Sequence, residues 1–180
     1  MPIILIIFDS AQKEIMRVTV RLAKIEDVSE ILEIVNHAIQ NTTANYDYEP
    51  HTLEQKRKWF KDKKEAKYPI FVAVDEGKIC GFGTYGPFRF KYGYRYTVEH
   101  SVYVHYDYYG NGIGSILLEK LIENSKNQGY HLMIGGIDAT NLKSIAFHEK
   151  FGFEKCGIIK EVAFKFEKWL DLQFMSKKLI

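Results

Sequence analysis

The stretch Tyr109-Gly-Asn-Gly-Ile-Gly-Ser115 limits the fold of this chain more than any other. An alternating run that reads as a strand precedes it. An amphipathic run, Ile113, Ile116, Leu117, Leu121 and Ile122, follows it and reads as a helix. Gly110, Gly112 and Gly114 therefore mark a strand-to-helix turn. The spacing is not the GxGxxG of a dinucleotide fold, because Ser115 stands where the third glycine belongs. No lysine completes a P-loop. What remains is a helix N-terminus with bare backbone, whose unpaired N–H groups and dipole suit a phosphate or pyrophosphate.

The rest of the chain supplies a mixed α/β frame for that turn. Residues 17–22 alternate as a strand. Val28, Ile31, Leu32, Val35 and Ile39 recur at helical spacing, with Asp27 and Glu30 as the expected capping box and Asn41-Thr42-Thr43 as the stop. A charged helix is expected from Thr52 to about Lys64. Ile70–Val74 and Lys78–Tyr85 read as a hairpin about Asp75-Glu-Gly77. A strand over 96–104, a helix from Ile113 to near Gly129 and a strand over 132–137 come next. A short helix over 141–150 and two strands from Phe153 to about Leu179 complete the order. Hairpin strands interleaved with about four helices give a mixed α/β sheet.

Bulk properties narrow the function. The 180 residues suit one domain, and 46% hydrophobic with 27% charged residues exclude disorder for most of the chain. A net charge of +2 excludes a bulk nucleic-acid footprint. Pro2–Phe8 is too short to span a membrane and lacks the flanks of a signal peptide, so a cytoplasmic protein is expected. The folded domain is expected to cover residues 16–180, with 1–15 an extension. Cys80 and Cys156 are too few for a disulfide scaffold and read as core thiols. The six histidines show no metal-ligand spacing, so no metal is expected.

Chemistry concentrates in Thr97-Val-Glu-His-Ser-Val-Tyr-Val104. Period-2 geometry puts Val98, His100, Val102 and Val104 on one face and Glu99, Ser101 and Tyr103 on the other. A glutamate in an apolar strand is either paired, with Arg95 a candidate, or a general base with a raised pKa. Trp169 reads as a pocket or dimer-contact residue or, as the better single choice, a core residue.

Taken together, these residues resemble the GNAT superfamily of acyl-CoA-dependent N-acetyltransferases. Within it they are similar to the phosphinothricin and methionine sulfoximine acetyltransferases. The resemblance rests on the glycine turn, Asn41-Thr-Thr-Ala44, Tyr85-Gly-Pro-Phe-Arg89, Thr97–Val104, His148-Glu-Lys-Phe-Gly-Phe153 and Lys165–Gln173. It implies a mostly antiparallel sheet splayed at the cofactor strand, and acetyl-CoA as cosubstrate. The N–H groups of Asn111, Gly112, Ile113, Gly114 and Ser115 would hold the pyrophosphate. Val102, Tyr103 and Val104 would pair with the pantetheine arm, and Asn141 would contact it or cap the 142–150 helix. Glu99 matches the branch's base, and His148, standing where many members carry a tyrosine, would serve as acid, base or hydrogen-bonding orienter, or else be a solvent-exposed helix histidine. Arg89, Phe90, Lys91, Tyr92, His100 and Ser101 would meet the acceptor, faced by Thr42, Thr43 and Tyr46. Tyr109 departs from the usual Arg or Gln. The implied reaction is acetyl transfer to the α-amine of a small amino-acid analogue by a homodimer. An acetyl-CoA sensor and an enzyme acting on another amine or a peptide N-terminus are the alternatives.

Overall fold

Tight turns and alternating strands organise the computed structural model, which describes residues 3–8 and 15–180. Among these residues there are eight strands and four α-helices, in the order β1 (Ile3–Phe8), β2 (Ile15–Leu22), α1 (Val28–Asn41), α2 (Leu53–Glu65), β3 (Ile70–Asp75), β4 (Lys78–Pro87), β5 (Thr97–Val104), α3 (Ile113–Asn127), β6 (Leu132–Asp138), α4 (Leu142–Lys150), β7 (Glu154–Lys165) and β8 (Lys168–Lys178). By contact density the chain divides into two units. One contains Met1–Asn36, His51–Tyr85 and Ser101–Leu121; the other contains His37–Pro50, Gly86–His100 and Ile122–Ile180.

In the first unit, β1 to β4 follow one another as antiparallel neighbours. The β3–β4 hairpin closes at Glu76 and Gly77, both with positive φ, as the Asp75-Glu-Gly77 signal demands. Ile31, Ile34 and Val35 of α1 are buried with Val18, Val72 and Phe82 of the strands and Leu117, Leu118 and Leu121 of α3. Gly81 explains how closely α3 approaches. A Cβ there would stand 2.9 Å from both Ile113 Cγ2 and the Tyr103 carbonyl oxygen. At the start of α2, Thr52 Oγ1 accepts from the Gln55 N–H at 3.2 Å and Gln55 Oε1 accepts from the Thr52 N–H at 2.7 Å. The expected capping box before α1 does not form. Asp27 instead ends a short 3₁₀ turn, takes both Arg21 nitrogens at 2.6 and 2.9 Å and accepts the Lys24 N–H. Glu30 reaches across to accept the Ile79 N–H at 2.9 Å.

In the second unit, the first residues of β5 run parallel to β6, β6 runs antiparallel to β8, and β8 to β7. Val98, Met133, Ile137, Ile145, Phe153 and Met175 are buried there. The buried Lys165 ammonium donates to the carbonyls of Ile39, Thr42 and Asn45 at 2.6, 3.1 and 2.6 Å. Those three bonds tie the end of α1 and the following loop to the β7–β8 hairpin. Two expectations fail here. Trp169 is 62% exposed, edge-on to Phe164 beside the hairpin turn, and not in the core. Cys156 is exposed, because it lies on the edge strand β7, almost all of whose residues are exposed on both faces. Cys80 is buried as expected.

Candidate active site

The glycine turn leads into α3 as a strand-to-helix junction in the first unit. Gly110 and Gly112 adopt φ of +87° and +75°, which only glycine takes readily. Of the five N–H groups expected to hold a phosphate, two already have acceptors. Asn111 donates to Tyr108 O at 3.5 Å and Ser115 to Gly112 O at 2.9 Å. Gly112, Ile113 and Gly114 open the helix as its unclaimed donors, the arrangement that holds an anion. Tyr109 is exposed and bonded through its own N–H to Tyr106 O. Val102 and Val104 are half-buried, and Tyr103 stacks on Phe82 at 5.2 Å.

β5 carries this unit's strand back to Glu99. The parallel ladder with β6 pairs Thr97, Val98 and Glu99 with Leu132, Met133 and Ile134. Glu99 is therefore the last residue of that ladder. Burial raises its carboxyl above the ordinary glutamate range, and the charge of Arg89 pulls it partly back. The charge that Glu99 feels is thus Arg89's. Arg95 lies over the rings of Tyr92 and Tyr96, each at 4.4 Å.

Two adjacent glycines on β6 show which face each group occupies. A Cβ on Gly136 would stand 3.2 Å from Glu99 Oε1, and one on Gly135 would stand 3.1 Å from His100 Nε2 and 3.5 Å from the His148 ring. Neighbouring strand residues point to opposite faces. Glu99 is on one face of this sheet, and His100 and His148 are together on the other. Their rings stack at 5.1 Å against Phe153. His148 Nδ1 lies 2.6 Å from Ser144 O. A carbonyl only accepts, so Nδ1 carries the proton and Nε2 is bare. Burial lowers the pKa of both, His100 to about 3. Both rings are neutral at pH 7. His148 Nε2 and both His100 nitrogens are buried without a hydrogen-bond partner.

The remaining expected residues divide. Asn141 caps α4 by accepting the Ser144 N–H at 3.0 Å. Arg89 lies over the Phe88 ring at 5.1 Å. Phe90, Lys91 and Tyr92 face solvent, with Phe90 96% exposed, and Ser101 is exposed as well. Thr42 turns its hydroxyl back to Ala38 O. Asp138 Oδ1 accepts from the Thr140 N–H and hydroxyl at 2.8 and 2.6 Å, which holds its carboxyl below the ordinary range against the opposing effect of burial. The Tyr46 hydroxyl and Asp138 Oδ2 are both buried without a hydrogen-bond partner. Sequence reading passed over Gly135, Gly136 and Asp138. Adjacent glycines inside a strand are the signal that could have found the first two. Among the described residues no cluster of three or more His, Cys, Asp or Glu could hold a metal, and no helix is long and apolar enough to cross a membrane.

The model of the acetyltransferase (GNAT) family matches residues 31–153. The chain is 42% identical over 165 residues to an L-methionine sulfoximine/L-methionine sulfone acetyltransferase of Pseudomonas aeruginosa, covering 91% of this chain and 96% of the relative. It is 31% identical over 162 residues to a phosphinothricin N-acetyltransferase of Streptomyces viridochromogenes, covering 89% and 87%. A Salmonella typhimurium acetyltransferase solved with its cofactor acetyl-CoA superposes with a TM-score of 0.88 at 37% identity, over 91% of this chain and 94% of that one.

Proposed function

The chain belongs to the acetyltransferase (GNAT) family, and from that premise we propose that it moves the acetyl group of acetyl-CoA to the α-amine of a small amino-acid analogue. Acceptors of the methionine sulfoximine, methionine sulfone or phosphinothricin type follow from its relatives. One observation carries the reading. Glu99, a half-buried carboxyl held above its ordinary pKa, ends the β5–β6 ladder.

An amino acid presents its α-nitrogen as ammonium at pH 7, and a neutral nitrogen is needed for attack. Glu99 takes that proton. Its raised pKa makes it a better acceptor of a proton than an exposed glutamate. Bound acetyl-CoA supplies the acyl carbon and a thiolate leaving group. The N–H groups of Gly112, Ile113 and Gly114 hold its pyrophosphate, with Asn111 and Ser115 at the margins of the turn. The backbone of Val102, Tyr103 and Val104, past the end of the β6 ladder, pairs with the pantetheine arm, and an N–H there polarises the thioester carbonyl. Asn141 contacts the arm through its amide while its oxygen caps α4. Arg89 pairs with the acceptor's carboxylate or acidic side group and tunes Glu99. Phe90, Lys91, Tyr92 and Ser101 frame the entry, and His100 backs the strand from the far face. His148 is neutral, so it acts as a positioning residue through its stack on His100 and not as an acid.

Residues 16–180 form the acetyltransferase domain and 1–15 an extension. A cytoplasmic homodimer fits the exposed Val162, Phe164, Phe166 and Trp169 about the β7–β8 hairpin. The test is release of free CoA thiol with acetyl-CoA and a panel of amino acids, the product identified by mass. An α-N-acetyl product with one of these analogues is expected. Thiol release no faster with any amine than without one overturns the reading.

A further inference from the structure

The face of the second unit's sheet that carries Glu99 also carries an open apolar pocket of about 360 Å³, lined by Phe88, Ile134, Cys156, Gly157, Ile158, Ile159 and Phe174. Register shows that pocket and carboxyl belong together. Glu99 pairs with Ile134, Ile134 with Ser176, and Gly136 with Phe174. Paired residues share a face, and residues two apart on one strand share it too. Glu99, Ile134, Gly136, Phe174 and Ser176 are therefore on one side. A Cβ on Gly136 would meet Glu99 Oε1 at 3.2 Å and the Phe174 ring at 3.9 Å, so carboxyl and pocket floor adjoin. Phe88 meets Phe174 edge-on at 6.1 Å and carries the Arg89 guanidinium.

The bulge decides what closes the far wall. Glu154 pairs with Ser176 and Gly157 with Phe174, which leaves Cys156 as the extra residue of the bulged strand. Its thiol turns onto the Glu99 face and donates to Ser176 Oγ at 3.0 Å. None of the seven lining residues is charged.

We infer that this pocket seats the side chain of the acceptor, that it favours an uncharged side chain of moderate length over the anionic phosphinate of the phosphinothricin type, and that Cys156 sets the room available. The inference rests on the acetyl-transfer reading and deepens it. The α-amine reaches Glu99 while the side chain points away along Phe174 toward Cys156.

Cys156 makes the pocket chemically addressable. Cys80, the other cysteine, is fully buried, and burial pushes its thiol up to about 12. Thiolates react and thiols do not, so a thiol reagent finds Cys156 first. Methyl methanethiosulfonate converts it to a methyl disulfide and releases methanesulfinate. L-methionine sulfone at saturation is expected to slow that reaction at least about fivefold, and L-glutamate is not. In turnover, the modified enzyme is expected to show an acceptor KM raised about tenfold with the acetyl-CoA KM unchanged. Dithiothreitol restores it, and Cys156→Ser is insensitive to the reagent.

Absence of protection by L-methionine sulfone, or equal protection by L-glutamate, overturns the inference. So does modification that moves only the acetyl-CoA KM, or only the oligomeric state, which would mark the pocket as a contact between copies of this chain. Failure of the unmodified protein to acetylate any amino acid overturns the function instead, since protection of Cys156 is read without turnover.

Discussion

Two opposing influences set the proton affinity of Glu99, the base proposed above. Burial raises the Glu99 pKa and Arg89 lowers it, with burial the larger. A base works only when deprotonated, so kcat/KM should rise with pH through the pKa of Glu99, on a limb above the usual glutamate range. Removing Arg89 removes the opposing charge. Arg89→Ala is expected to move that limb to higher pH and to raise the acceptor KM. A limb that moves down, or an effect confined to the acetyl-CoA KM, would place Arg89 elsewhere. Glu99→Gln keeps size and loses basicity, so turnover should fall about 100-fold or more. Calorimetric acetyl-CoA affinity should stay within about twofold. A loss of acetyl-CoA binding equal to the loss of turnover would contradict the assignment.

Elements determine where such residues can act, and here sequence and structure part in instructive ways. The glycine turn, the helix start near Thr52 and the Asp75-Glu-Gly77 hairpin were legible because each depends on local backbone chemistry. Cys156 and Trp169 were not, because an exposed edge hairpin leaves both faces of its strands open, and edge position leaves no mark in a single strand's pattern. The separation of Glu99 from His148 by the sheet was equally hidden, since it depends on β6 glycines brought beside β5. The turn before α3 gives a direct test. Gly112 at φ +75° admits a side chain only with strain, roughly 1 kcal/mol for alanine, and a side chain there would crowd the open donors. Gly112→Val should weaken acetyl-CoA binding at least about 30-fold while far-UV circular dichroism keeps the helical signal. Unchanged affinity would refute the turn as the pyrophosphate site. Lys165 tests the loop after α1. Lys165→Met leaves three carbonyls without their donor and should cost about 2–4 kcal/mol. A loss within about 0.5 kcal/mol in urea titration would show that the carbonyls find water instead.

At the scale of the whole molecule, the buried histidines tie stability to pH in a way the carboxylates do not. His100 is held neutral by burial, with its pKa lowered to about 3, and His148 shifts the same way. In the unfolded chain both return to about 6.5. Between those values the unfolded chain binds protons that the folded one refuses, so folding loses free energy as pH falls below about 6.5. The contribution is fully present above pH 6.5 and erodes down to the folded pKa. One such group costs about 1.4 kcal/mol per pH unit in that window, hence about 2 kcal/mol between pH 6.5 and 5 from His100. Glu99 acts in the opposite sense. Its folded pKa is raised, so protonation on acidification favours the folded state and partly offsets the loss. The melting temperature should therefore drop on going from pH 7 to pH 5, well before ordinary carboxylates titrate. His100→Leu keeps an apolar filler against His148 and Phe153 while removing one titrating ring. It should flatten the slope of the melting temperature between pH 7 and 5, as differential scanning calorimetry would record. A wild-type curve already flat across that window would mean that these rings accept protons where they lie, and that the stack behind the catalytic strand is wetter than its burial implies.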